Sequence, residues 1–298
     1  MNILVTGGSG WIGRYVVRDL IAHGHDVLSI DLSPPLVQVA GEQVSNTRYE
    51  SEFRHLTVDM TDAGQVFQAL AHIKAEAVIH LAAWPDPGLV PDTKTYGDNV
   101  TGTFNLFQAC ADLGIQRVVS ASSAQVYGLA KFPPAYLPLD EDHPLRPLNC
   151  YALGKIASEQ AADYFSSNFD LNIYSFRFMG VRLPERLSQE IDQMVEDPKS
   201  GIISLWTRAD VRDAATACRL AVECDQAPTG PYNITGSNII LDKPASELIH
   251  TYLGKEITLR TPITDQQSPV SGTRVESAFG YHPAYHWSVS HRHPEKDL

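Results

Sequence analysis

The chain is 298 residues long, enough to bury one large α/β core or a main domain with a smaller companion. Its 23 basic and 35 acidic residues leave a net charge of −12, which argues against non-specific binding to nucleic acid or to an anionic membrane. No apolar run reaches the roughly 18 residues of a membrane span, and the four cysteines show neither CxxC nor zinc-ligand spacing. With Met1 leading straight into an apolar run, the expectation is a reduced, cytoplasmic protein without membrane, nucleic-acid or metal partners.

In chain order, the first two-thirds alternates short apolar runs with amphipathic stretches. Strands are expected at 2–6, 26–30, 54–59, 77–82, 117–122 and 172–177, and helices at about 11–22, 62–72, 98–113 and 150–168. Apolar strands separated by helices indicate a parallel sheet covered on both faces, a Rossmann-like, doubly wound α/β fold. Proline-rich loops at 84–91 and 132–148 fall late in the βα units, at the end of such sheets where ligands bind. After Arg177 the alternation weakens, and only a helix at 210–223 and a strand at 231–235 stand out. The expected division is a nucleotide-binding domain over 1–177, with 205–235 returning to it. A small C-terminal substrate-binding subdomain would then be built from 178–204 and 236–298.

The first strand runs into "TGGSGWIG" (6–13), where Gly7, Gly10 and Gly13 make GxxGxxG and Gly8, Gly10 and Gly13 make GxGxxG. Either spacing supplies a tight turn, close approach of backbone to a pyrophosphate, and close helix–strand packing. The helix that follows points its N-terminal amides at the phosphates. Asp31 ends the second strand, 18 residues beyond Gly13, where a carboxylate hydrogen-bonds the adenosine ribose and repels a 2′-phosphate. No Lys or Arg lies between Asp19 and Thr47, so the expected cofactor is NAD and not NADP.

"YALGK" puts Tyr151 and Lys155 one helical turn apart on one face. An ammonium and a nicotinamide cation beside a phenol favour the phenolate, which makes Tyr151 a candidate general base. Ser122 and Ser123 close the strand in "SASSAQVYG" (120–128), where a serine hydroxyl can bond the same substrate oxygen.

These motifs, with "DL" at 31–32, "VDMTD" at 58–62, "HLAA" at 80–83, "NVTGT" at 99–103 and "YNITG" at 232–236, resemble the extended short-chain dehydrogenase/reductases, also called NAD-dependent epimerase/dehydratases. The resemblance covers about residues 1–235. It implies that Trp11, Ile12 and Leu32 line the cofactor beside the glycines and Asp31. Asp59 and Met60 would flank the adenine, Leu81, Ala82 and Ala83 would line the nucleotide, and Asn99 would brace the site from its helix. Ser123, Tyr151 and Lys155 would form the catalytic triad, with Lys155 also holding the nicotinamide ribose. Tyr151 would take a hydroxyl proton while hydride leaves the same carbon for NAD. The helices near 98–113 and 150–168 would build a homodimer.

Two positions depart from the nucleotide-sugar epimerases of this family. Gly180 stands where their Arg-x-x-Asn pattern has asparagine, and Trp206 stands where an arginine seven residues before Asp213 would meet a substrate phosphate. "RFMGVRLPE" (177–185) and "SLW" (204–206) are similar instead to uronate dehydrogenases, where the residue matching Arg177 grips the substrate carboxylate. That branch carries Asn-His where this chain has Ala124 and Gln125. Arg177 reads equally as a strand-end residue paired with the acidic late helix. Trp84 and Gln125, with Ser122, Ser123, Tyr151 and Arg177, complete the expected substrate-binding set. His282, His286, His291 and His293 read as a solvated tail and Trp287 as a packing anchor. The leading expectation is a free sugar or uronate dehydrogenase using NAD. The alternatives are a nucleotide-sugar 4-epimerase that retains its NAD and a non-catalytic NAD-binding sensor.

Overall fold

The structure is a computed structural model that describes residues 1–34, 54–254 and 256–292. Nine strands are described: β1 (Asn2–Thr6), β2 (Asp26–Asp31), β3 (Arg54–Thr57), β4 (Ala77–His80), β5 (Arg117–Ser123), β6 (Tyr136–Leu137), β7 (Asn172–Phe178), β8 (Gly230–Ile234) and β9 (Thr258–Leu259). The helices are α1 (Trp11–Ala22), α2 (Ala63–Ile73), α3 (Asp92–Leu113), α4 (Cys150–Asn168), α5 (Pro184–Glu196), α6 (Val211–Glu223), α7 (Ala245–Tyr252) and α8 (Thr273–Phe279). Seven strands form one parallel sheet in the order β3-β2-β1-β4-β5-β7-β8, the doubly wound arrangement expected of a Rossmann-like fold. The order reverses between β1 and β4, the crevice where such sheets bind ligands.

The chain packs as two units. The first comprises 1–121, 149–175 and 218–230. One side of its core packs Leu4, Leu28 and Val78 of the strands against Val66, Leu70, Leu106, Phe107 and Phe165 from the helices, and the continuous apolar runs bury the neighbouring Ile3 and Val5 as well. Asp62 caps α2 by accepting from the Gly64 and Gln65 amides, and Asn149 caps α4 by accepting from the Ala152 amide. Helix α4 buries Tyr151, Lys155, Ser158, Ala162 and Phe165, a stripe at helical spacing.

The second unit comprises 122–148, 176–217 and 231–298. Phe176, Tyr232 and Phe279 pack ring against ring, with centroids 4.9–6.2 Å apart. Helix α5 buries Leu187, Ile191 and Met194, and β6 and β9 pair as a small parallel sheet. The boundary by packing differs from the expected one at 177, because 122–148 belongs to the second unit. Tyr127 and Glu141 of that segment are hydrogen-bonded to Arg177 and Asn233.

Candidate active site

In the first unit, Gly7 has φ +70, and a Cβ there would lie 2.6 Å from the Ala82 amide nitrogen and 2.8 Å from the Leu81 carbonyl carbon. At Gly13 a Cβ would lie 2.1 Å from the Gly7 carbonyl oxygen. Side chains at these two positions would drive the turn, β4's exit and α1 apart. A Cβ on Gly10 would meet only that Gly7 oxygen, at 3.1 Å, so its other side is open. Gly10 also precedes α1 without any side-chain cap, leaving the first amides of the helix to a ligand. Trp11 is about a third exposed and Ile12 half-buried at this helix start, and Leu32 is exposed.

Asp31 ends β2 and accepts from the Ser9 amide at 3.2 Å, which fixes the carboxylate beside the glycine turn. Asp59 accepts from the Thr61 amide and hydroxyl, both at 2.8 Å, and Asn105 holds the Met60 carbonyl at 3.0 Å. The Leu81 and Ala82 amides donate to Thr6 Oγ1, and Ala83 is half-buried. Of the expected cofactor residues, the glycines, Asp31 with Leu32, Asp59 with Met60, and Leu81 to Ala83 lie at the ends of β1, β2, β3 and β4. An open glycine position beside an uncapped helix, with a carboxylate at the next strand's end, fits a dinucleotide.

Asn99 is buried and closes a two-way pair with Trp84: its Oδ1 accepts the Trp84 amide at 2.8 Å, and its Nδ2 donates to the Trp84 carbonyl at 3.1 Å. The Trp84 indole donates to Asp98, which also pairs with Lys94. These bonds pin the 84–91 loop to α3.

Lys155 is buried, its Nζ 5.6 Å from the centroid of the Tyr151 ring and 2.6 Å from the Ala121 carbonyl oxygen to which it donates. Burial pushes its pKa down to about 8, against the attraction of Glu159. Tyr151, in the first turn of α4, is buried. A further chain had no place in the sequence reading. Thr6 Oγ1 bonds His80 Nδ1 at 2.7 Å, and His80 Nε2 bonds Thr103 Oγ1 at 3.0 Å. Burial, aided by the Lys155 charge, pushes the His80 pKa down to about 3 and holds the imidazole neutral. The parallel register that sets Thr6 beside His80 is the signal that would have found it.

In the second unit, Ser122 and Ser123 are buried at the end of β5, and Gln125 is exposed. Ser123 Oγ accepts the Gln125 amide at 3.2 Å, capping a 3-10 turn over Ala124–Tyr127. Arg177 is buried with its Nη1 donating to the Tyr127 hydroxyl at 3.0 Å and the Glu141 carbonyl at 2.8 Å, its guanidinium stacked 5.1 Å from the Tyr127 ring. Burial pushes the Glu141 carboxyl above the usual range. These bonds tie β7 to the 122–148 segment. Trp287 is buried and donates to Asp210 at 2.8 Å. Among the described residues no group of three or more His, Cys, Asp or Glu is placed to hold a metal, and no helix is long and apolar enough to cross a membrane. His293 lies outside the described residues.

Comparison with known proteins bears on the family and the fold. The UDP-glucose 4-epimerase of Lactobacillus helveticus is 32% identical over 186 residues, 61% of this chain and 52% of that protein. The match thus spans about half the length of that relative. Among solved structures, a short-chain dehydrogenase/reductase superfamily protein from Agrobacterium tumefaciens with bound NAD aligns with TM-score 0.70 at 22% identity, covering 98% of this chain and 94% of that one. The UDP-glucose 4-epimerase of Thermotoga maritima with UDP-glucose aligns with TM-score 0.68 at 20% identity, covering 96% and 94%. The model of the NAD dependent epimerase/dehydratase family matches residues 3–235, and the chain belongs to that family.

Proposed function

We propose that this protein moves hydride to and from a sugar carbinol carbon with NAD, and that its substrate is a nucleotide sugar, as in a 4-epimerase. The observation that carries the chemistry is Lys155: a buried ammonium fixed to the Ala121 carbonyl and one turn from Tyr151. Such a charge favours the tyrosinate, so Tyr151 is the proposed base and acid at the substrate hydroxyl. Ser123, two residues past Ala121, is the proposed hydrogen-bond partner of the same oxygen. Gly7, Gly10, Gly13 and the amides opening α1 would hold the pyrophosphate, Asp31 the adenosine ribose, and Lys155 the nicotinamide ribose. NAD, when bound, supplies the hydride acceptor.

Two points favour a nucleotide sugar over a free uronate. The relatives matched are UDP-glucose 4-epimerases, and Arg177, on which the uronate reading rested, has its Nη1 engaged inside its own unit. Gly180 and Trp206 favour the second reading, a free-sugar dehydrogenase. Incubating the NAD-loaded protein with UDP-glucose and following UDP-galactose by NMR separates the two. Epimer without net NADH supports the first reading. NADH from glucuronate or galacturonate, with UDP-glucose untouched, supports the second.

The proposed assembly is a cytoplasmic homodimer. Phe104 and Tyr164, on helices α3 and α4 that pack on each other, are about half exposed, and a second copy would cover them. Sedimentation at micromolar concentration tests it.

A further inference from the structure

The two departures from the epimerase pattern, at Gly180 and Trp206, are one coupled rearrangement in the second unit. Trp206 is fully buried at φ +58, following Leu205 at φ +53, and its indole donates to the Pro198 carbonyl at 2.7 Å. Gly201 leaves the room: a Cβ there would lie 2.4 Å from the Trp206 ring. The side chain at 206 is thus turned into packing and recognises nothing. Three residues on, Ala209 donates to the Met179 carbonyl and Arg182 to the Ala209 carbonyl, so the segment after β7 runs alongside residues 208–210. Gly180 adopts φ +55 there, and a Cβ on it would lie 2.9 Å from Arg208 Cδ. The Arg208 side chain therefore lies over the bare glycine, in space that an asparagine at 180 would contest.

Arg208 is only 7% exposed, yet it is not fully neutralised. Its Nε donates to Glu190 at 2.9 Å and its Nη1 to the Thr207 carbonyl at 2.9 Å. Glu190 also takes the Arg182 Nε, so one carboxylate faces two guanidinium groups and the cluster keeps one positive charge. Among the described residues, Arg208 Nη2 has no hydrogen-bond partner. A buried guanidinium, oriented by a carboxylate and a carbonyl with one corner open, is prepared for an anionic oxygen.

We propose that Arg208, seated over Gly180 and oriented by Glu190, is the residue that recognises the substrate's diphosphate in this chain. This rests on the nucleotide-sugar reading above. The test is calorimetric titration of the NAD-loaded protein with UDP and, separately, with uridine, which lacks the diphosphate. The wild type is expected to prefer UDP by about tenfold or more, the size of one charge-assisted hydrogen bond. Arg208→Ala should bring that ratio close to one while leaving uridine and NAD binding in place. Gly180→Ala, whose methyl displaces the Arg208 stem, should lower the ratio in the same direction without removing the charge. An Arg208→Ala protein that binds NAD and still prefers UDP as the wild type does overturns the assignment and leaves the nucleotide-sugar reading standing. A wild type that binds neither UDP nor uridine overturns both.

Discussion

In the first unit one ammonium, Lys155, is buried and hydrogen-bonded to a single backbone carbonyl, with Glu159 attracting it through space, and His80, whose pKa its charge helps lower, is kept neutral. The second unit holds its charges in braced pairs, with Arg208 and Arg182 on Glu190, Arg212 on Asp210 and Arg274 on Glu141, as the first does only away from Lys155, at Arg219 and other described ion pairs. An ammonium with no hydrogen-bonded carboxylate is costly to bury and keeps its influence on neighbouring groups. Paired charges give up that influence for orientation, because each carboxylate fixes a guanidinium plane. On the proposals above, the base Tyr151 lies in the first unit and the diphosphate contact Arg208 in the second.

The strongest test of this division is Tyr151→Phe. It removes the proposed proton acceptor while leaving the ring on α4, so turnover should fall by about a hundred- to ten-thousand-fold with NAD affinity unchanged. Turnover within a few-fold of wild type would break the comparison at its root. Next in size is Gly13→Ala, whose methyl would sit 2.1 Å from the Gly7 carbonyl oxygen. The expected cost is on the order of 3 kcal/mol in thermal or urea unfolding, together with lost NAD binding. Smaller again is Asp31→Ala, which should weaken NAD about tenfold and narrow the preference over NADP, measured by titration with each dinucleotide. An unchanged preference would mean the carboxylate serves only the Ser9 and Ser33 amides.

The first unit was the more legible of the two because its constraints are local. The glycine turn, the acid at the end of β2 and the Tyr–Lys turn each declare themselves within a few residues. The strands expected at 2–6 and 26–30 end within a residue of those observed. Helix α3 begins at Asp92, six residues before the expected 98, since Pro91 sets its start and the first turns carry no apolar stripe. In the second unit the partners are distant in sequence. Arg177 finds Tyr127 across 50 residues, and β6 finds β9 across more than a hundred, with two residues in each strand. No periodicity carries such pairings. Helix α5 was readable in principle, with Pro184 at its start and Leu187, Ile191 and Met194 at helical spacing.

The finest distinction between the units is the pH dependence of stability. His80, in the first, has its pKa pushed from 6.5 to about 3 by burial and then by the Lys155 charge. Between those values the unfolded chain binds a proton that the folded chain refuses, so this contribution is full above 6.5 and lost as pH falls. Asp213, in the second, is pushed from 3.8 up to about 7 by burial, although it accepts the Ala284 and Tyr285 amides. There the folded chain holds the proton, so its contribution is greatest below 3.8 and lost as pH rises toward 7. Across about pH 4 to 6.5 the two groups oppose each other, each with a slope of at most about 1.4 kcal/mol per pH unit. Asp213→Asn keeps an acceptor for one amide but cannot titrate, so its unfolding free energy should rise more steeply with pH than that of the wild type. His80→Gln should tilt the curve the other way. Parallel curves for Asp213→Asn and wild type would show a carboxylate already ionised at pH 4, and the second unit would then hold one more charge than its paired arginines account for.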